Sequence, residues 1–139
     1  MSYASAVATV QVRYIVHDVD AAIAFYCGQL GFHEDMNRAP GFAMLSRGDL
    51  RLVLSKPGVG PGGGSQAMPD GSLPTPGGWN RFAIEVANLE SLVDQLRQTS
   101  AKFRSDIITG VGGKQALVED PSGNLVELFE PIRREARLG

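Results

Sequence analysis

Cysteine, histidine and tryptophan are scarce in this sequence, and neither sign of charge predominates. The single cysteine, Cys27, cannot form an internal disulfide, which fits a reducing compartment. Thirteen basic and fifteen acidic residues give a net charge of −2, so no basic surface favours nucleic acid. No apolar run approaches the ~18 residues of a membrane span, and the start MSYASAVATV lacks the positive charge of a signal peptide. These absences predict a cytoplasmic protein without a nucleic-acid or membrane partner.

The sequence does contain an internal repeat. The stretch QVRYIVHDVDAAIAFYCGQLGF aligns with RFAIEVANLESLVDQLRQTSAKF at a constant offset of 81 − 11 = 70 residues. Each copy begins with an alternating apolar run, which is typical of a half-buried strand. Asp18 and Asn88 follow, where a side-chain oxygen can accept from the first free N–H groups of a helix. Gly31 fits the left-handed residue after the first helix, whereas Ala101 stands at that place in the second copy.

Both copies continue in the same order. Apolar residues at helical spacing predict one helix in each copy, with the stripes Val19, Ala22, Ile23, Tyr26 and Leu30, and Leu89, Leu92, Val93 and Leu96. The closing strands, 50–57 and 125–131, both end on proline. In the second copy the two preceding strands are predicted at 103–109 and 114–119. The sequence therefore predicts an α+β fold of two βαβββ modules.

One helix can cover only one face of a four-stranded sheet, so the other face must meet a second sheet or a ligand. We therefore expect curved mixed sheets whose uncovered faces form a cleft. Between the modules, 13 of the 23 residues from Lys56 to Gly78 are glycine or proline, a composition that does not form regular structure. The predicted division is a first module at 1–57, a linker or flap at 58–78, and a second module with a C-terminal tail at 79–139.

Two motifs, VHDVDAAIAFYCGQLGF (16–32) and VEDPSGNLVELFEP (118–131), give the chain a resemblance to the vicinal oxygen chelate superfamily. That superfamily includes glyoxalase, extradiol dioxygenases and bleomycin-resistance proteins. With the repeat, the resemblance extends over roughly residues 8–131. It implies a glyoxalase-like fold, a homodimer and a cleft that in the enzymes holds a divalent metal.

The resemblance also implies four positions for metal ligands. They correspond here to Gln11, Val53, Arg81 and Glu127, of which only Gln11 and Glu127 could bind a metal. A guanidinium cannot lose its proton, and its charge ~5 Å from a divalent ion would cost roughly 6–7 kcal/mol at an effective dielectric of ~20. We expect Arg81 to pair with Glu127 and the pocket to contain no metal. A displaced Arg81 would free Glu127, so a divalent metal held by Gln11 and Glu127 remains the alternative.

Strand alternation extends this candidate site. The residues expected to act on or orient a ligand are Glu127 and Arg81, and those expected to line the pocket are Gln11, Arg13, Val53, Trp79, Gln115 and Leu117. Trp79 fits either a wall on which a ligand stacks or packing in the core or dimer interface. His17 and His33 lie outside the ligand positions and are expected on the surface.

Three functions are compatible with these residues. The first is a metal-free module that binds a small organic molecule, similar to the bleomycin-resistance proteins. The second is a metal-dependent lyase, isomerase or dioxygenase of the glyoxalase kind, in which Glu127 binds the metal or acts as general base and Gln11 orients the substrate. The third is an interaction domain whose cleft is vestigial. The sequence favours the first.

Overall fold

The computed structural model describes residues 10–59 and 64–132. Residues 60–63 of the predicted linker and the C-terminal tail from 133 onward lie outside the described residues. The chain divides into two compact units between Pro76 and Gly77. No helix in the described part of the chain combines the length and the apolar character needed to traverse a membrane.

The first unit contains one helix and one four-stranded sheet. Its elements are β1 (Val10–Ile15), α1 (Val19–Gln29), β2 (His33–Arg38), β3 (Phe42–Arg47) and β4 (Leu50–Ser55). The sheet order is β1-β4-β3-β2, in which β1 and β4 are parallel and the other pairs are antiparallel. The first and last strands of the module are therefore neighbours, and the helix connects β1 to the far edge.

The second unit repeats this plan. Its elements are β5 (Arg81–Glu85), α2 (Leu89–Arg97), β6 (Lys102–Phe103), β7 (Ile108–Thr109), β8 (Gly113–Glu119) and β9 (Leu125–Pro131). The sheet order is β5-β9-β8-β6, and β7 also pairs with β8. Again the first and last strands, β5 and β9, are parallel neighbours. The predicted α+β fold of two repeated modules with mixed sheets is confirmed.

The two helices begin in the same way because their caps are chemically equivalent. The Asp18 Oδ1 atom accepts a hydrogen bond from the Ala21 N–H at 3.0 Å, and the Asn88 Oδ1 atom accepts one from the Ser91 N–H at 3.1 Å. The helices end differently. Gly31 has the expected positive φ of 73°, whereas in the second unit Ser100, and not Ala101, has a positive φ of 66°. A left-handed residue thus follows both helices, but only the first one is glycine.

Each sheet packs one face against its own helix. In the first unit the helix buries Val19, Ala22 and Tyr26, and the Tyr26 ring contacts Phe32 edge-on with a centroid separation of 5.4 Å. In the second unit the buried helix residues are Leu89, Val93 and Leu96. Most residues of the predicted apolar stripes are therefore buried against the sheets, but Ile23 and Leu92 are only half-buried, and Phe25, which the predicted stripe did not include, is buried.

Two predicted strand boundaries were wrong. The closing strand of the first module ends at Ser55 and not at Pro57; the Lys56 N–H donates to the Gly41 carbonyl at 2.9 Å in the β3–β4 register, and Pro57 has no N–H with which to extend the pairing. The strand predicted at 103–109 is two short strands, β6 and β7. Between them the Ser105 hydroxyl accepts the Leu117 N–H at 3.2 Å, so a side chain replaces a backbone carbonyl in the ladder.

The linker forms no helix or strand in its described residues. Part of it closes on itself, since the Gly58 N–H donates to the Ser65 carbonyl at 2.6 Å and the Ser65 hydroxyl donates to the Val59 carbonyl at 3.2 Å. Gly64 lies so close to the Arg13 guanidinium that a β-carbon there would collide with it. The composition of the linker predicted its irregularity but not this contact.

Candidate functional site

The sheet of the second unit has one face that packs against α2, the helix face, and an opposite face that α2 does not cover, which we call the open face. Glu130 belongs to the helix face, because its Oε1 atom accepts the N–H of Leu89, the first residue of α2, at 2.7 Å. Side chains alternate along a strand, so Glu127 and Phe129 project from the opposite face. The strand register then places Glu127 between Ala83 of β5 and Leu117 of β8. Glu127 is therefore central on the open face.

Arg81 and Glu127 form an ion pair on this face. The Arg81 Nε atom donates to Glu127 Oε1 at 3.1 Å, and the Arg81 Nη1 atom donates to the Trp79 carbonyl at 3.3 Å. The side chains are 31% and 19% exposed. This pair is the one that the sequence predicts. At such partial exposure an ion pair typically contributes only ~0.2–1 kcal/mol to stability, so its main effect is to fix the orientation of the carboxylate.

Two other predicted residues lie on the same face. Leu117 is directly opposite Glu127 in the β8–β9 ladder and is 9% exposed. Gln115 is opposite Phe129 and is half-buried. The open face thus combines a carboxylate, a guanidinium and an amide with apolar surface, which is the composition of many small-molecule sites.

Sequence reasoning missed Arg104. Its guanidinium donates to Glu119 Oε2 at 2.8 Å, to the Gly78 carbonyl at 2.6 Å and to the Gly123 carbonyl at 2.9 Å. It also lies over the Trp79 ring, with its central carbon 4.7 Å from the ring centroid. One signal could have found it: Phe103 belongs to the apolar pattern, so the alternation that placed Gln115 and Leu117 would have placed Arg104 on the open face.

The predicted residues of the first unit lie on the corresponding strands of its sheet. Gln11 is opposite Arg51 and Arg13 is opposite Val53 in the parallel β1–β4 ladder. The Arg13 Nη1 atom donates to the Ser55 hydroxyl at 2.7 Å. Gln11 and Arg13 are exposed, whereas Val53 is only 2% exposed.

A further arginine of this sheet, Arg51, has a buried Nε atom with no hydrogen-bond partner among the described residues. Its charge also acts on Asp35. Burial works to raise the pKa of Asp35 from 3.8, but hydrogen bonds from His33 and Ser46, and the charges of His33 and Arg51, lower it on balance. Arg13 and Arg51 thus supply two guanidinium groups on adjacent strands.

The donor set of the second unit does not fit a divalent metal. Arg81 and Glu127, which stand at the positions that the resemblance implies for metal ligands, bind each other. Across residues 10–59 and 64–132, no three His, Cys, Asp or Glu side chains cluster in a way that could hold a metal ion. A hard divalent ion needs several oxygen or imidazole ligands, and a guanidinium repels it.

The single cysteine and both histidines lie in the first unit. Burial raises the pKa of the Cys27 thiol, and the charges of Glu34 and Asp35 raise it further. A thiol in this setting is held in its unreactive form near neutral pH. His17 and His33 are exposed, as expected, and the His33 Nδ1 atom is 2.8 Å from Asp35 Oδ1.

Residues 8–128 match the model of the Glyoxalase/Bleomycin resistance protein/Dioxygenase superfamily. No curated protein matches the chain significantly.

Several solved structures have the same fold. A lactoylglutathione lyase from Agrobacterium tumefaciens is 20% identical, with 88% of this chain and 92% of that chain covered and a TM-score of 0.65. A member of the same superfamily from Sphaerobacter thermophilus is 21% identical, with 86% and 94% covered and a TM-score of 0.67. TnmS3, an antibiotic binding protein from Streptomyces sp. CB03234, is 21% identical, with 87% and 93% covered and a TM-score of 0.63. Identities this low establish the fold alone.

Proposed function

Since the chain belongs to the Glyoxalase/Bleomycin resistance protein/Dioxygenase superfamily, we propose that it binds a small organic molecule on the open face of the second sheet without a resident divalent metal. The observation that carries this proposal is the ion pair between Arg81 and Glu127 at 3.1 Å. Proteins of this fold include both a lyase and an antibiotic binding protein, so the fold alone does not choose between catalysis and binding. The choice rests on the guanidinium at a position where the enzymes place a metal ligand.

The chemistry of the pair indicates what it would recognise. Arg81 uses Nε and Nη1 on Glu127 and on the Trp79 carbonyl, which leaves N–H groups of the guanidinium for an oxygen of a ligand. The Glu127 carboxylate has further lone pairs beyond the one used by Arg81, and these can accept a ligand hydroxyl or amine. A ligand with a hydroxyl group can satisfy both side chains, while Leu117 and Phe129 supply apolar contact.

Metal loading tests the metal-free part of the proposal. Protein treated with a chelator, then incubated with zinc, nickel or manganese and desalted, is expected to retain far less than one equivalent of each metal. Retention of one equivalent that disappears in Glu127→Gln would establish the metal-dependent alternative instead. Elemental analysis gives the stoichiometry.

Ligand binding tests the role of Glu127. In a thermal-shift screen of small hydroxylated and aromatic compounds, we expect hits on the wild type whose affinity falls about tenfold or more in Glu127→Gln, equivalent to ~1.4 kcal/mol. Glu90→Gln is the matched control, because Glu90 also forms an ion pair, with Lys114 at 3.2 Å, but on the helix that covers the other face. Equal losses in both variants would show that the site lies elsewhere.

A further inference from the structure

Trp79 is the one tryptophan of the chain, and its side chain is exposed to solvent yet packed against an arginine. The residue is 67% exposed, although a large aromatic ring is ordinarily buried where it can be. One ring face is covered by the Arg104 guanidinium at 4.7 Å from the ring centroid. At that exposure the opposite ring face is open to solvent.

Arg104 cannot readily move away from the ring. Three of its nitrogens donate hydrogen bonds, to Glu119, to the Gly78 carbonyl and to the Gly123 carbonyl. Gly77, two residues before Trp79, binds the turn that contains Gly123, because its N–H donates to the Asn124 Oδ1 atom at 2.8 Å. The Arg104 guanidinium is therefore held in place against one face of the indole ring.

The backbone of Trp79 is also connected to the ion pair of the open face. The Trp79 carbonyl accepts from Arg81, and Arg81 donates to Glu127. The guanidinium therefore lies beside the backbone that carries the ring, and it orients the carboxylate. An aromatic surface that is already ordered before binding loses little conformational entropy when a ligand stacks on it.

We propose that Arg104 is a positioning residue that presents the Trp79 ring as a stacking surface, and that the ligand carries a planar aromatic or heteroaromatic ring with a hydroxyl or similar polar substituent. This inference rests on the proposed function and specifies its ligand class. The planar ring contacts the indole, and the polar substituent contacts Arg81 and Glu127.

The positioning role can be tested without a ligand, because tryptophan fluorescence, excited selectively, reports on Trp79 alone. Arg104→Gln should lower the fluorescence anisotropy and increase acrylamide quenching relative to the wild type. Arg97→Gln is the matched control: Arg97 also lies 4.7 Å over an aromatic ring, that of Phe103, and pairs with Asp106 at 2.9 Å. Unchanged anisotropy and quenching in Arg104→Gln would overturn the positioning role. If Arg104→Gln does not fold, Arg104→Lys removes the planar stacking group while it keeps the charge, and the same readouts apply.

The ligand class can be tested with a pair of alcohols that differ in planarity. Calorimetry should show 2-naphthol binding the wild type about tenfold or more tightly than decahydro-2-naphthol. That preference should disappear in Trp79→Leu, shrink in Arg104→Gln and persist in Arg97→Gln.

The outcomes separate the two proposals. Equal affinity for the two alcohols, with binding that still depends on Glu127, would overturn the stacking inference and leave the proposed function standing. Binding of neither alcohol, together with one retained equivalent of metal, would overturn both.

Discussion

At the scale of single residues, the residue type at position 81 determines what the carboxylate of the second sheet can bind. The Arg81 guanidinium balances the charge of the Glu127 carboxylate and donates a hydrogen bond to one of its oxygens. The pair was expected from the ligand positions that the resemblance implies, because both strands belong to the second module. In the structure β5 and β9 are parallel neighbours, which places both side chains on one face. Arg104 was not predicted, because its role depends on Gly78, Glu119 and Gly123, which are far from it in sequence.

Replacing the guanidinium should change the affinity for metals. In Arg81→His the positive charge is removed and an imidazole, a common metal ligand, stands beside a free carboxylate. We expect nickel or cobalt to bind about tenfold or more tightly than to the wild type, a gain of ~1.4 kcal/mol, measured by calorimetry.

The matched control for this change is Arg97→His, which breaks an ion pair of similar geometry with Asp106 on exposed surface. An equal gain in metal affinity in both variants would mean that a histidine added anywhere on the surface binds the metal. No gain in Arg81→His would mean that the position is not a latent ligand position.

At the scale of secondary-structure elements, the caps and the strand pairing explain why each module closes on itself. Asp18 and Asn88 start the helices, and the parallel pairs β1–β4 and β5–β9 join the ends of each module. The caps follow from a local pattern and were predicted from the sequence, whereas the strand pairing was revealed by the structure. The interruption between β6 and β7 does not follow from a local pattern, because it depends on Ser105 reaching the Leu117 backbone on another strand.

The start of β8 gives a prediction at this scale. A β-carbon at Gly113 would collide with the Glu130 carbonyl oxygen and approach the Phe129 ring to 3.0 Å. Backbone atoms cannot yield as a flexible side chain can, so Gly113→Ala should lower the free energy of unfolding by about 1–3 kcal/mol.

The control is Gly110→Ala in the same turn, where the nearest atom would be the Gly113 carbonyl oxygen at 3.8 Å, an ordinary contact. Chemical denaturation measures both variants. Equal denaturation midpoints for the two variants would show that the start of β8 accommodates the added methyl group without loss of stability.

At the scale of the whole molecule, the duplication gives two modules of the same plan but different chemistry. The first sheet carries Gln11, Arg13 and Arg51, and the second carries Arg81 and Glu127. Arg13 is also in contact with Gly64 of the linker. The repeat therefore preserves the packing of helix on sheet while the open faces have diverged.

Membership of the superfamily also implies assembly. We expect a homodimer, with a mass about twice 14.8 kDa, because the resemblance of the two motifs implies one. Size-exclusion chromatography with light scattering measures this mass, and the mass of a single chain at micromolar concentration would contradict the expectation.

The sequence by itself determined the repeat, the helix caps and the order of helix and strands in each module, and the resemblance of its two motifs led to the expected pairing of Arg81 with Glu127. The repeat, the caps and the element order depend on periodicity and on short motifs that can be read along the chain. Only the tertiary structure revealed the support of Trp79 by Arg104, the division of one strand into β6 and β7, and the contact of Gly64 with Arg13. These features arise where side chains from separate segments meet, and no local pattern encodes such a meeting.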